Sequence, residues 1–350
     1  MWQPRGVSFS AGGVLIIGHL GIMTRLLEAG ALERVQNWYG CSGGSLCAFL
    51  GALGVSAAWI RDAVEHFDTR VLVQIEDDLI ADYLNSWGIN SGARVVEFFG
   101  RFADTWEPGS SSWTFADIAQ KRPGISLNIT ATNITRGGLT VFNATKTPTV
   151  RIIDAVRASC AVPGFFTPWV DSVGDLYCDG AVLEYYPWSC VEDKADTLVL
   201  VCSETGISGR KATPAIIHSI SDYFRQIVRL VQQNQMNDTP KNWIAIKNMK
   251  ISGLDFHITK GERFELFSEG LVAAGRWLAF RTECSKSKLI PCGEIHETHQ
   301  PCGDHCTLSC SPPSPDRMSD NPQSHSLQPL PYLSRGSHSG ALRHGRRWSL

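Results

Sequence analysis

The residues from Val7 to Leu53 repeat one pattern twice: a short apolar segment, a turn containing glycine, and a run with helical spacing or uniformly apolar character. Strands are predicted over residues 7–10 and 35–39, and helices over residues 20–32 and 43–53. A helix between two successive strands is the connection that parallel strands require. This order therefore predicts an α/β fold whose central sheet is mostly parallel.

The same periodicities continue to about residue 280. Segments rich in β-branched residues predict further strands, at residues 125–132, 139–143 and 197–202. Segments with helical spacing predict further helices, at residues 56–67, 92–102, 113–119, 152–158, 216–233 and 264–280. Thr114 is the expected N-cap of the short helix at 113–119. We therefore expect one large domain over residues 5–281.

The composition changes at residue 282. Residues 282–350 are rich in Cys, Pro, Ser and His and show no apolar period, which predicts a disordered tail. Five of the 11 cysteines lie there, and their spacing does not favour a zinc site. The six earlier cysteines have apolar or small neighbours and are interpreted as reduced thiols. We expect no metal ion and no cofactor.

Charge and hydropathy restrict the partners and the location. The net charge is −2 and the charged fraction 19%, so no global basic surface favours nucleic acid. The N-terminus lacks the pattern of a secretory signal. The apolar stretch Val14–Met23 is shorter than the ~20 residues of a membrane span. We expect a cytoplasmic protein that is at most peripheral on membranes, with no nucleic-acid partner.

The most informative local motif is Gly40-Cys-Ser-Gly-Gly44, which fits Gly-x-Ser-x-Gly between a predicted strand and a predicted buried helix. A serine on such a sharp turn is held with its hydroxyl exposed, and small flanking residues avoid collisions with neighbouring backbone. The start of the following helix adds positive potential where negative charge develops. Ser42 is therefore a candidate nucleophile, although small residues also line ordinary tight turns.

The local sequence pattern does not select a single base that would activate Ser42. His66, His218 and His257 follow the serine, but they lie within helical or strand-like patterns rather than in loops. Asp179 stands at the end of a strand-like segment and before Gly180, and a desolvated aspartate can accept the proton of a serine. An Asp-Gly pair is also a common turn.

Four motifs together resemble the patatin-like phospholipase family, and the resemblance runs from about Val7 to Phe280. They are Phe9-Ser-Ala-Gly-Gly-Val-Leu-Ile-Ile-Gly-His-Leu-Gly, Gly40-Cys-Ser-Gly-Gly, Arg157-Ala-Ser-Cys-Ala-Val-Pro-Gly-Phe-Phe-Thr-Pro and Tyr177-Cys-Asp-Gly-Ala. The resemblance implies a three-layer α/β/α fold and a lipid ester substrate, either a phospholipid or an acylglycerol. It also implies metal-independent hydrolysis, with contact to a membrane or a lipid droplet.

The resemblance also implies roles for particular residues. Ser42 would be the nucleophile and Asp179 the base that accepts its proton. The backbone N–H groups of the glycine-rich loop would bind the oxyanion; this loop comprises Gly12, Gly13 and Val14. Four further residues would support the motifs: Gly40, Gly44, Gly180 and Ala181.

The chain departs from the family pattern at several positions. Leu15 and Ile16 stand where the family usually has a basic residue and a glycine, Ala11 replaces the first glycine of the loop, and Glu184-Tyr185 replaces a pair of small polar residues. Two alternatives to a hydrolase therefore stay open. One is a catalytically weak protein of this fold that binds lipids or partners, and the other is an acyltransferase.

Residues 87–113 are unusually rich in aromatic side chains. Such a stretch is typical either of helices that pack against the sheet or of an interfacial surface for acyl chains. We expect packing against the sheet.

Overall fold

The computed structural model of the protein describes residues 2–73, 76–203, 240–247 and 250–286. The strands in this part of the chain are β1 (Gly6–Phe9), β2 (Asn37–Cys41), β3 (Ser126–Asn133), β4 (Gly138–Phe142), β5 (Trp169–Val170), β6 (Leu176–Asp179), β7 (Thr197–Ser203) and β8 (Trp243–Lys247). They form one sheet in the order β5-β6-β3-β2-β1-β7-β8, and β4 pairs with β3.

The sheet is parallel in its centre and antiparallel at one side. The pairs β3–β2, β2–β1, β1–β7 and β7–β8 are parallel. The pairs β3–β4, β3–β6 and β5–β6 are antiparallel. Helices cover both faces. The predicted three-layer α/β/α fold with a mostly parallel sheet is therefore confirmed.

The sequence predicts most of the described helices, but not the two short ones at Asp77–Ala81 and Tyr83–Ser86. They are α1 (Ile16–Glu28), α2 (Gly43–Leu53), α3 (Ala57–His66), α4 (Asp77–Ala81), α5 (Tyr83–Ser86), α6 (Ala93–Trp106), α7 (Phe115–Lys121), α8 (Ile152–Ser159) and α9 (Lys260–Lys286). The predicted cap is confirmed, since Thr114 and Asp117 form a capping box at the start of α7. The predicted helix at 216–233 and the tail from residue 287 lie outside the described residues.

Helix α1 begins four residues earlier than the periodicity predicts, because its first turn continues directly from the 3-10 turn at Gly13–Leu15. Gly21 in this helix and Gly270 in α9 allow the two helices to approach closely. A β-carbon on Gly21 would lie 2.1 Å from the Phe267 carbonyl oxygen, and one on Gly270 would lie 2.2 Å from the Gly18 carbonyl oxygen. The last described helix is therefore packed directly against the helix that follows the glycine-rich loop.

Helix α2 is buried on every side, as its small and apolar sequence predicts. It lies between the sheet and the other helices, with Phe49 and Leu50 fully buried. Helix α9 extends beyond the predicted domain boundary at residue 281 and ends at Lys286. No helix in the described part of the chain is both long and apolar enough to cross a membrane.

Candidate active site

Ser42 lies at the junction between β2 and α2, where it occupies the N-cap position of the helix. Its φ of 52° is positive, which is uncommon for a residue with a side chain and indicates a strained turn. The flanking glycines are required by space. A β-carbon on Gly44 would lie 2.3 Å from the Ser10 carbonyl oxygen, and one on Gly40 would lie 2.5 Å from Ser45 Cα. The geometry is that of a nucleophile elbow.

Strand β3 brings Ser42 and Asp179 together, because it pairs with both of the strands that carry them. Cys41 at the end of β2 pairs with Thr130, and Asp179 at the end of β6 pairs with Ala131. The Ser42 hydroxyl donates a hydrogen bond to Asp179 Oδ2 at 2.6 Å. Both residues are buried, with 6% and 3% of their surfaces exposed.

Neighbouring backbone and side-chain groups hold the pair in place. The turn after β6 comprises Gly180–Val182, and its Ala181 N–H donates to Asp179 Oδ1 at 2.8 Å. The Asp179 N–H donates to the Ala161 carbonyl at 2.9 Å. On the other side, the Ser42 N–H donates to Ser159 Oγ at 2.7 Å. Each member of the pair is thus fixed independently of the hydrogen bond between them.

Burial makes the Asp179 carboxylate a stronger base than an ordinary aspartate. Desolvation raises the pKa of Asp179 from 3.8 to about 6, although hydrogen bonds from Ser42 and Ala181 act in the opposite direction. Burial also raises the pKa of the adjacent Cys160 thiol to about 12. That thiol is protonated at neutral pH and does not compete with Ser42 as a nucleophile.

The histidines that follow Ser42 take no part in this arrangement within the described residues. His66 is exposed and contacts the Asp62 carbonyl, and His257 is exposed in the loop before α9. His218 lies outside the described residues. Asp179 is therefore the titratable group that the structure places on the Ser42 hydroxyl. Among described residues, no group of three or more His, Cys, Asp or Glu side chains could hold a metal ion.

The glycine-rich loop lies beside the elbow and is held by a distant segment. The Val14 N–H donates to the Gly253 carbonyl at 2.8 Å, so it is not available to an oxyanion in this conformation. No described residue accepts a hydrogen bond from the N–H of Gly12 or Gly13. A β-carbon on Gly43 would lie 3.5 Å from the Gly13 nitrogen, which places this loop against the start of α2.

Gly13 and Gly253 are in direct backbone contact. Gly13 has a φ of 54°, and a β-carbon on it would lie 1.9 Å from the Gly253 carbonyl oxygen. A β-carbon on Gly253 would lie 2.6 Å from the Gly12 carbonyl oxygen. Side chains are therefore excluded on both sides of the contact.

The departures from the family pattern have structural roles. Ile16 is buried, and its Cγ2 would lie 2.6 Å from a β-carbon on Gly43, so it fills the space beside the elbow. The Ala11 N–H donates to the Tyr185 carbonyl at 2.8 Å. The Tyr185 hydroxyl donates to the Cys202 carbonyl at 2.6 Å. The Glu184 carboxylate accepts hydrogen bonds from Ser189.

Sequence reasoning missed two residues that position the site. Ser159 lies in one of the four motifs that resemble the family, but its hydrogen bond to the Ser42 N–H is visible only in the folded chain. Gly253 lies outside the quoted motifs, and no local pattern marks it. The six cysteines from Cys41 to Cys202 are free thiols, five of them buried and Cys190 partly exposed, as the sequence indicates.

Most of the aromatic stretch packs into the core, as expected. The residues in or against the core are Phe98, Phe99, Phe102, Trp106 and Trp113. Trp87 differs, because 53% of its surface is exposed.

The fold and the elbow define a class of α/β proteins with a serine at a strand-to-helix turn. A comparison with models of known protein families identifies one of them: the model described as "Patatin-like phospholipase" matches residues 7–189. The chain belongs to the patatin-like phospholipase family, which confirms the resemblance seen in the sequence.

Individual relatives are more distant. The chain is 24% identical over 176 residues to "Probable lipid hydrolase 463L" of Invertebrate iridescent virus 6, and the alignment covers 50% of this chain and 58% of the viral protein. Its fold is similar to that of VipD from Legionella pneumophila, with a TM-score of 0.52 and 16% identity. That match covers 78% of this chain and 66% of VipD.

Proposed function

We propose that the protein hydrolyses carboxylic esters of lipids, with Ser42 as the nucleophile and Asp179 as the general base. The observation that carries this proposal is the 2.6 Å hydrogen bond from Ser42 Oγ to a buried carboxylate. Membership of a phospholipase family supports a lipid substrate. The name of the viral relative, a probable lipid hydrolase, supports the same class of reaction.

Acylation begins when Ser42 Oγ attacks the ester carbonyl and its proton passes to Asp179 Oδ2. The carboxylate is suited to this transfer because its pKa of about 6 lies close to neutral pH while the group remains mostly ionised. The protonated Asp179 then gives its proton to the leaving alcohol as the ester C–O bond breaks. An acyl-enzyme on Ser42 remains.

The negative charge of the tetrahedral intermediate develops on the former carbonyl oxygen. We assign its stabilisation to the N–H groups of Gly12 and Gly13, which have no acceptor among the described residues. The start of α2 directly behind Ser42 adds positive potential. The Val14 N–H does not take part, because it donates to the Gly253 carbonyl.

Deacylation repeats the sequence with water in place of the serine. Asp179 accepts a proton from the water that attacks the acyl carbonyl, and it returns that proton to Ser42 Oγ as the serine leaves. No metal ion is required for any step. Phospholipase A, lysophospholipase and acylglycerol lipase activities all fit this chemistry, and assays on phosphatidylcholine, lysophosphatidylcholine and triolein would distinguish them.

We also propose that the predicted domain, residues 5–281, carries the activity once it is extended to the end of α9 at Lys286. Removal of residues 287–350 should leave the rate of ester hydrolysis unchanged. A large loss of rate with an unchanged melting temperature would assign a catalytic role to the tail.

The first test is hydrolysis of p-nitrophenyl butyrate by the full chain in EDTA, with wild type and Ser42→Ala side by side. We expect activity in the wild type that Ser42→Ala abolishes. A fluorophosphonate probe should label the wild type and spare the variant. A folded wild type that neither hydrolyses the ester nor reacts with the probe would overturn the proposal.

One observation favours a second candidate, a lipid-binding protein with weak catalysis. The donor at Val14 is already occupied, so the oxyanion site is smaller than the family pattern suggests. Probe labelling without turnover would point to this candidate. Transfer of the acyl group to an added lysolipid, measured as product, would instead indicate an acyltransferase.

A further inference from the structure

The segment that contains α4 and α5 contributes nothing to the hydrophobic core. Neither helix has a buried residue. Three large apolar side chains in this segment are exposed: Ile80 by 50%, Leu84 by 87% and Trp87 by 53%. We call these three residues the apolar patch.

The three exposed side chains lie within eight consecutive residues of this segment. They are spaced by four and then three residues, which is the spacing of neighbours on a helix surface. The Asp82 N–H donates to the Asp78 carbonyl at the end of α4, and the Trp87 N–H donates to the Tyr83 carbonyl at the end of α5, so each short helix is hydrogen-bonded up to its last turn. Contiguous exposed apolar surface of this kind marks a site of interaction.

The patch is directly connected to the segment that supports the catalytic pair. The Tyr83 hydroxyl donates to the Gly164 carbonyl at 3.3 Å. The N–H groups of Ile89 and Asn90 both donate to the Phe165 carbonyl. The same segment, a few residues earlier, contains Ala161, whose carbonyl binds the Asp179 N–H. The segment that carries the patch is therefore hydrogen-bonded to the segment that holds the Asp179 backbone.

The charges around the patch restrict the kind of surface that it fits. Four carboxylates lie in or next to α4: Glu76, Asp77, Asp78 and Asp82. Two of them are held by neutral partners, Glu76 by Ser91 and Asp82 by Asn85. Negative charge beside the apolar side chains repels anionic headgroups and leaves neutral ones unaffected.

We propose that the apolar patch inserts into a neutral or zwitterionic lipid surface and so brings the Ser42–Asp179 pair to its substrate. This inference rests on the proposed function, because the protein needs a lipid surface only if its substrate is a lipid. Tryptophan and leucine are suited to the site, because an indole ring prefers the boundary between headgroups and acyl chains and leucine prefers the acyl region.

The test is flotation of the full-length Ser42→Ala variant, which cannot consume the lipid, with vesicles of phosphatidylcholine. The double change Leu84→Ser and Trp87→Ser in the same background should weaken the partition coefficient at least about tenfold. The matched control is Val272→Ser, which removes a 49% exposed apolar side chain on α9 and should change nothing. Equal melting temperatures would establish that all three variants are folded.

A second pair of samples tests the charge argument. Vesicles in which half of the phosphatidylcholine is replaced by phosphatidylglycerol should bind the protein more weakly than pure phosphatidylcholine. Failure to float with phosphatidylcholine, flotation that survives the double change, or tighter binding to the anionic vesicles would overturn the proposal.

The outcome is distinguishable from failure of the proposed function. If the wild type hydrolyses p-nitrophenyl butyrate and does not float, only the proposed binding to a lipid surface is contradicted. If the protein floats by means of the apolar patch but hydrolyses no ester, only the proposed enzymatic activity is contradicted. Binding to a protein partner instead of lipid would appear as absence of flotation with every vesicle tested.

Discussion

The Ser42–Asp179 pair and the glycine-rich loop lie next to each other, but they are held by different kinds of contact. Ser42 and Asp179 are fixed by groups that lie inside the region matched by the family model, including Ser159 and Ala181. The loop at Gly12–Val14 is fixed by Gly253, which lies far beyond that region. The matched region therefore contains the proposed reacting groups together with the residues that fix them, but it does not contain the residue that holds the proposed oxyanion loop.

The largest expected effect is that of Asp179→Asn, which tests the pair side of the comparison. We expect kcat for p-nitrophenyl butyrate to fall by about 10²–10⁴-fold, because an amide cannot accept the serine proton. If a histidine were the true base, this variant would keep most of its activity. Labelling by a fluorophosphonate should slow in parallel.

The same variant should be more stable than wild type at pH 8. The folded-state pKa of Asp179 is raised, so the fold favours the neutral form, and this contribution is lost as the pH rises from 3.8 through about 6. At pH 8 the wild type bears the full cost of a buried charge, up to roughly 3 kcal/mol, and Asn does not. Thermal unfolding at pH 8 and at pH 4 measures the difference, which should shrink at the lower pH.

The next effect tests the loop side. Gly253→Ala would bring a β-carbon to 2.6 Å from the Gly12 carbonyl oxygen, so the loop must shift. We expect kcat to fall about 100-fold with KM little changed, since displaced donors lose their contact with the transition state.

Gly275→Ala is the matched control for this loop variant. It lies on α9 with no neighbouring atom within 4 Å of the new methyl group, and it should retain wild-type kinetics. Wild-type kcat in Gly253→Ala would show that the loop does not depend on this contact. Loss of activity in both variants would instead indicate that any added methyl group in residues 253–275 disturbs the protein, whether or not it touches the loop.

These expectations also show where sequence reasoning succeeds and where it stops. The alternation of strands and helices along the chain and the Ser42 turn could be predicted, because hydrophobic period and glycine spacing are local properties. The choice of Asp179 over a histidine came from the family resemblance, and the hydrogen bond itself depends on β3 pairing with two strands at once. Gly253 could not be predicted, because a single glycine in a loop carries no signal of what it touches.

The exposed helices α4 and α5 show the same limit from the other direction. The aromatic composition of residues 87–113 predicts packing, and most of those side chains do pack. Trp87 is the exception, and its positive φ of 57° places it at the end of a segment without buried residues. Composition alone does not separate one exposed ring from several buried ones.

A smaller effect is expected from pH, and it sharpens the distinction between the two regions. We expect kcat/KM to fall about tenfold for each unit below about pH 6, because protonated Asp179 cannot act as a base. The buried His19 in α1 does not interfere, since burial lowers its pKa to about 3. A flat profile between pH 5 and 8, with the fold intact by circular dichroism, would contradict the assignment of the base.

The smallest effect is expected from Ser159→Ala, which removes a support of the pair without removing a reacting group. Ser159 Oγ accepts from the Ser42 N–H at 2.7 Å and donates to the Thr130 carbonyl at 2.6 Å. Its loss leaves a buried N–H without a partner, at a cost of about 1–3 kcal/mol in unfolding free energy. Since Asp179 is still hydrogen-bonded to Ser42, kcat should fall only about tenfold.

The matched control is Thr24→Val, which removes a buried hydroxyl from α1 and should leave kcat unchanged. A loss in Ser159→Ala as large as that in Asp179→Asn would mean that the elbow, like the loop, depends on a single contact.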